Sequence, residues 1–199
     1  MAEFHAPKFA TFRCDEQVRK EAQQLIADSQ GPDALGQERL GLLLLVEDPA
    51  FYTHNGIDFS TPGAGATTIT QSVSKRLTFT RFKPGLRKLR QSAYAIELEQ
   101  QLSKREILAW ALRELEFRKA SRRWIKGFHK ASIAFFGKPI AEINTDQYLL
   151  MIASAIAPRD LNVDRPTAKL LERVRRIKKL ARGSCKPLNH SDVWLDGCR

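Results

Sequence analysis

Apolar residues recur at intervals of three and four through most of this 199-residue chain, and few stretches alternate apolar with polar. Side chains spaced at 3.6 residues share one stripe of a helix, whereas a strand requires a period of two. The chain is therefore restricted to a mainly α fold. Asp15 is placed to cap a helix over residues 15–29, with Val18, Ala22, Leu25 and Ile26 on one face, before Gly31 and Pro32 break the chain. A helix over residues 33–47 is apolar almost all round near its end, which predicts burial. The turn-rich stretch 49–65 carries Asn55-Gly56, Pro62, Gly63 and Gly65. Further helices are expected over residues 67–77, from 87 to about 102, and from 104, where Ser103-Lys104-Arg105-Glu106 forms a capping box. A basic segment, 118–130, follows. Asn144-Thr145-Asp146-Gln147 supplies a second box ahead of a buried helix, 147–157, that stops at Pro158. A last helix over residues 167–182 turns Leu170, Leu171, Val174, Ile177 and Leu180 inward.

An apolar share of 43% suffices for a core at this length, and no repeat, low-complexity tract or linker divides the chain, so residues 1–199 are expected to form a single domain. Lys and Arg total 33 against 22 Asp and Glu, a net charge of +11. That field favours polyanions: nucleic acid, anionic lipid headgroups or pyrophosphate-bearing substrates. No run approaches the roughly 18 apolar residues of a spanning helix. The amino terminus lacks the apolar core of a secretory signal, so the expectation is a soluble, unexported chain. Cys14, Cys185 and Cys198 are odd in number and scattered, and they read as free thiols.

Three clusters carry chemistry. Glu47-Asp48 follows the apolar helix end, with Phe51, His54 and Gly56 after it. A carboxylate leaving the core for a turn-rich edge suits a general base, because desolvation raises its pKa. Gly65-Ala66-Thr67-Thr68-Ile69-Thr70-Gln71, followed by Lys75, offers small residues, hydroxyls and a helix amino terminus to an anionic or sugar ligand. Lys83, Arg87 and Lys88, with Lys75, place several cations where a pyrophosphate would need them. Taken singly, each cluster has an ordinary explanation: an acidic helix end, a Thr-rich helix start and a solvated basic face.

Together and in this order they resemble glycosyltransferase family 51, the peptidoglycan glycosyltransferases (transglycosylases) of penicillin-binding proteins. Its ED-x-x-F-x-x-H-x-G motif is matched by Glu47, Asp48, Phe51, His54 and Gly56. Its second, GASTITQQ with a following Lys, is matched by Gly65, Ala66, Thr68, Ile69, Thr70, Gln71 and Lys75. Its third is matched by Arg87, Lys88, Ala95, Leu98 and Glu99. The resemblance is strongest over residues 40–181, leaving 184–199 as a tail of unknown role. It implies a lysozyme-like fold that polymerises lipid II: the 4-hydroxyl of an acceptor attacks the anomeric carbon of an undecaprenyl-pyrophosphate-linked glycan, with inversion. Glu47 is then the general base. Asp48, Phe51, His54, Thr68, Gln71, Lys75, Lys83, Arg87 and Lys88 are the substrate-binding positions. The resemblance also implies a divalent ion such as magnesium, for which no ligand cluster is evident, an anionic membrane surface and cell-wall synthesis proteins as partners, and a place at the outer face of the cytoplasmic membrane.

The match has gaps. Gln91 stands at the family's second catalytic glutamate, and an amide carries no negative charge. Ser72 replaces a Gln, Arg76 replaces an Asn, and the connection from His54 to Gly65 is shorter than the family's. Weak polymerisation is expected. One rival is a non-catalytic protein that holds lipid II or glycan. Another is a basic helical protein that binds nucleic acid, for which no helix-turn-helix or zinc signature is present.

Overall fold

The computed structural model describes residues 16–79, 85–118 and 124–199. Among them lie helices α1 (Glu16–Ala27), α2 (Gly36–Glu47), α3 (Ile69–Thr78), α4 (Leu86–Gln101), α5 (Lys104–Glu114), α6 (Phe128–Phe136), α7 (Thr145–Ser154) and α8 (Ala168–Ala181). Among the described residues one antiparallel pair of strands, β1 (Glu116–Arg118) and β2 (Trp124–Lys126), sets Phe117 opposite Ile125. The mainly α expectation holds.

The boundaries follow local chemistry. Both expected capping boxes form, at Ser103/Glu106 and Asn144/Gln147. A third forms where none was expected: Thr68 accepts a bond from Gln71 N while the Gln71 side chain accepts one from Thr68 N, so α3 starts at Ile69 and not at 67. The helix expected over 33–47 is split, since Pro32–Leu35 make one 3-10 turn and Gly36, at φ +73°, begins α2. α7 ends at Ser154 and not at 157, because Ala155 and Ala157 bond back to Ile152 and Ser154 in tighter turns. The strand pair lies partly within the segment read only as basic; strands of three residues are too short to display a period of two. The Asp15 cap lies outside the described residues.

Two apolar clusters meet along α2 and α5. The larger joins Leu43, Val46, Leu112, Phe117, Phe128, Tyr148, Ile152 and Ile177. The smaller joins Phe51, Ile69, Val73, Leu98, Ile107 and Leu108. Leu40 packs against both, and α5 sends Leu108 into one and Leu112 into the other. The predicted burial of α2 is met at Leu43 and Val46. α3 packs on α4 and α5, α1 on α5, and α7 on α8. Glu47 ends α2 where the two clusters adjoin. No helix among the described residues is long and apolar enough to cross a membrane.

The segment after α8 folds back over the molecule. Cys185 and Cys198 form a disulfide, so the free-thiol expectation fails for this pair; Cys14 lies outside the described residues. The fold-back, not any spacing rule, brings them together.

Candidate functional site

Glu47 stands at the junction of two adjoining hollows. The larger, about 530 Å³, is walled by Glu47, Thr67, Thr68, Ser72, Lys75 and Arg76 on one side, and by Glu114, Glu116, Trp124 and residues 155–160 on the other. The smaller, about 290 Å³, is walled by Glu47, Gly63 to Thr67, Ile156, Arg173 and Val193. Burial raises the Glu47 pKa, the Arg173 guanidinium opposes that shift, and Asp48 adds to it. A carboxyl raised in this way in a cleft is suited to proton transfer.

The motif residues around Glu47 divide into two groups. Asp48 is fully buried. It accepts the Ile69 amide at 2.8 Å and lies 3.0 Å from His54 Nε2 through each oxygen. Because His54 Nδ1 accepts the Gly56 amide at 3.0 Å, Nε2 carries the proton and donates to Asp48. Phe51 is buried in the smaller cluster beneath the Lys104 ammonium, 4.5 Å from its ring. Gln71 is buried, donating to Ser92 Oγ at 2.9 Å, and Thr68 donates to the Gly56 carbonyl at 2.7 Å. Of these, only Thr68 reaches the wall of the larger hollow. The rest align the amino terminus of α3 with the end of α2.

Gln91 is also turned inward. Its Nε2 donates to the Gln71 carbonyl at 2.7 Å, while its own carbonyl accepts from Ser74 Oγ at 3.1 Å. Glu99 does not replace a carboxylate at the cleft: it accepts from Thr70 at 2.6 Å and Lys104 at 2.8 Å, behind His54.

The cations are brought together in part. Lys75 lies half-buried on the wall of the larger hollow, its pKa lowered by burial and by Arg76, with Glu116 opposing and Lys88 adding to the fall. Lys88 donates to the Ala66 carbonyl at 2.7 Å and to Thr67 Oγ1 at 2.9 Å, which pins the loop ahead of α3. Arg87 is exposed at the start of α4. Lys83 lies outside the described residues. Arg76, placed where the motif has Asn, donates to Ser72 Oγ at 2.5 Å, so the two departures within this motif touch one another.

Residues 15–182 match the family described as Transglycosylase. The chain belongs to the transglycosylase family. It is 35% identical over 123 residues to penicillin-binding protein 1B of Buchnera aphidicola subsp. Acyrthosiphon pisum (strain APS), covering 55% of this chain and 16% of the relative. It is 27% identical over 193 residues to penicillin-binding protein 1B of Escherichia coli (strain K12), covering 87% of this chain and 22% of the relative. To penicillin-binding protein 1F of Bacillus subtilis (strain 168) it is 30% identical over 128 residues, 58% of this chain and 17% of that one. The chain thus spans about a fifth of the length of these curated relatives. The helical architecture is that of the lysozyme-like transglycosylase domain.

Within this transglycosylase the sequence reading missed Arg173, Val193, Glu114 and Glu116. Arg173 had a signal. It sits between Leu170 and Ile177 on the inward stripe of α8, where a cation must find partners or unfold the packing. Val193 had none, because nothing in the motifs points to a tail that folds back.

Proposed function

We propose that this transglycosylase acts on an undecaprenyl-pyrophosphate-linked glycan, transferring it with inversion to the 4-hydroxyl of an acceptor lipid II, at a rate below that of a fully equipped enzyme. The observation that carries the reading is Glu47, with its raised pKa, between one hollow that holds Lys75 and Arg76 on the wall beside it and another lined largely by small residues. Glu47 takes the acceptor proton as the hydroxyl oxygen attacks the anomeric carbon. The bond to the pyrophosphate breaks, and Lys75, with Arg76 beside it, offsets the charge that leaves. Thr68 completes the substrate-facing set on the wall of the larger hollow, and Arg87, Lys88 and Lys83 are added to it by resemblance. Asp48, Phe51, His54 and Gln71 serve by holding α3 and α2 in register.

The donor set does not fit a divalent ion. Asp48 is committed to His54 and Ile69, Gln91 presents an amide to a carbonyl, and no cluster of three His, Cys, Asp or Glu occurs among the described residues. No step is routed through a metal.

Leu86 and Leu89 are 80% and 69% exposed beside Arg87 and Arg90, a mixture suited to an anionic membrane surface. The disulfide favours an oxidising compartment and hence the outer face of the membrane. Against nucleic acid as partner, three cations of α8 are paired: Arg175 and Arg176 share Glu172, and Lys178 meets Asp146.

A second reading, a protein that holds lipid II without turnover, is favoured by Gln91, whose amide is buried and engaged. Incubation with labelled lipid II, followed by sizing of products, separates the two. Short products that vanish in Glu47→Gln support the slow transferase, and binding without products supports the holder. Long chains would sink the reduced-rate reading, and unchanged products in Glu47→Gln would sink the assignment of the base.

A further inference from the structure

Two segments far apart in sequence meet beside the smaller hollow, one lining it with Gly63 to Gly65 and the other with Val193. The first is the turn from Thr61 to Gly65; the second is the tail from Cys185 to Cys198. Gly63 N donates to the Asn189 carbonyl at 2.9 Å, and Gly65 N donates to the His190 carbonyl at 2.8 Å. His190 Nδ1 lies 2.9 Å from the Thr61 carbonyl. The fit is close as well as bonded: a Cβ on Gly65, at φ +68°, would stand 2.4 Å from Val193 Cγ1. A Cβ on Gly63 would stand 2.8 Å from Pro187.

The same tail grips α8. Arg173 donates to the Val193 carbonyl at 2.5 Å and stays buried on the wall it shares with Glu47. Arg176 donates to the Trp194 carbonyl at 3.0 Å and to Asp196 at 2.7 Å. Asp192 gathers the amides of Leu188, Asp196 and Gly197 at 2.9, 2.7 and 3.0 Å, which closes the tail into a compact loop. Cys185–Cys198 shuts that loop at its base. Cys198 is buried, while Cys185 is the more exposed residue of the pair.

We propose that this disulfide-closed tail is a strap that fixes the Glu47 side of the cleft, seating the 61–65 turn and Arg173, its positioning residue, and that a dithiol reductant slackens it. The dithiol supplies two electrons and two protons, leaving two cysteine thiols and its own disulfide. Once the loop is open, the tail is held by Arg173, Arg176 and Asp192 without covalent closure, the two backbone bonds to Gly63 and Gly65 open more often, and the wall loses part of its backing. The tail's own core residues, Leu195 and Cys198, lie in the larger cluster, whereas the smaller cluster between α1, α3, α4 and α5 contains no tail residue.

Amide hydrogen exchange on the full oxidised chain, with and without dithiothreitol, tests this. The expected result is that Gly63 and Gly65 exchange at least tenfold faster after reduction, while amides of α3 and α5 keep their protection. Unchanged rates at Gly63 and Gly65 overturn the proposal, and so does an equal acceleration across all helices, which would make the bond a general stabiliser. Gly65→Ala, with the disulfide intact, reaches the same seat from the other side and must speed the same two amides; if it does not, the strap is wrong even where a cysteine variant fails to fold. For Arg173, the probe is the Glu47 carboxyl followed by carbon NMR across pH. The groups facing that carboxyl are Asp48 beside it, Arg173 from α8 and Tyr148 from α7. Arg173→Met must move the Glu47 midpoint upward and Arg173→Lys must restore it, and no movement removes Arg173 from its role. No readout uses a substrate, so failure of the transferase reading leaves this test standing.

Discussion

Two walls flank Glu47, and they are built by opposite means. On the α3 side, side chains hold the backbone: Asp48 on the Ile69 amide, Thr68 on Gly56, Gln91 on Gln71, Lys88 on Ala66. On the tail side, backbone holds backbone through Gly63 and Gly65, and a covalent bond some distance away keeps the partner strand in place. The first wall fails one residue at a time. The second stands or falls with its closure. A glutamate placed between a wall of fixed dipoles and a wall that can be released has one environment set by the motif and another open to conditions.

The largest expected effect falls on the residue both walls share. Glu47→Gln should lower any lipid II polymerisation by about 100- to 10,000-fold, the usual contribution of a positioned base. It should also stabilise the fold at neutral pH. The folded pKa of Glu47 is raised, so the folded state holds its proton longer than the unfolded chain, and stability falls as pH rises above the unfolded carboxyl range. Melting curves from pH 4 to pH 8 on both proteins would show the gap widening with pH. A gap of constant size would mean that Glu47 titrates normally.

Reduction of Cys185–Cys198 comes next. Its cost should fall on the tail seat, with Gly63 and Gly65 losing protection while amides of α3 and α5 keep theirs. Gln91→Glu should cost on the order of 1–3 kcal/mol at neutral pH, because an ionised carboxylate cannot donate to the Gln71 carbonyl. A protonated carboxyl can donate, so the loss should shrink below about pH 4 and grow as pH rises. Activity should not recover strongly in this variant, since the new carboxylate is seated against α3 and away from the cleft. Strong recovery would show that position 91 swings out to the substrate. Thr68→Ala, at the cap of α3, should cost about 1 kcal/mol and leave the tail seat untouched in exchange experiments.

The contrast also explains what could be read from the sequence. The α3 wall was legible because its residues lie within short motifs: Glu47 to Gly56, Gly65 to Lys75, Arg87 to Glu99. The helices around it were legible from their stripes and from Ser103/Glu106 and Asn144/Gln147. The division of labour inside the motifs was not. Asp48 and His54 look like ligand groups on paper, yet a buried carboxylate aligned with an imidazole and a helix amide satisfies them without a ligand. The tail wall left no pattern, since a backbone bond from Gly65 to His190 does not depend on which side chain residue 190 carries. Cys185 and Cys198 stand thirteen apart with a third cysteine far away, which pointed to free thiols. Arg173 alone could have betrayed the tail, as a cation on an apolar stripe whose one helical acid, Glu172, pairs with Arg175 and Arg176 instead.

The smallest effect expected is at Asp58, in the turn the tail clamps, and its sign is opposite to that of Glu47. Burial pushes the Asp58 carboxyl up, but bonds from the Ser60 and Thr61 amides and the Ser60 hydroxyl prevail, and its pKa falls to about 2. The unfolded chain therefore takes up this proton first as pH drops from about 4, so the contribution is present above that range and is lost as pH falls to about 2. Asp58 is partly open to solvent and screened, which keeps the effect small. If the strap governs this wall, lowering the pH should free the Ser60 and Thr61 amides to exchange while Gly63 and Gly65 stay protected. Asp58→Asn should then remove the pH dependence at Ser60 and Thr61 alone. Loss of protection at Gly63 and Gly65 in the same acid range, with the disulfide intact, would show that the turn holds the tail and not the tail the turn.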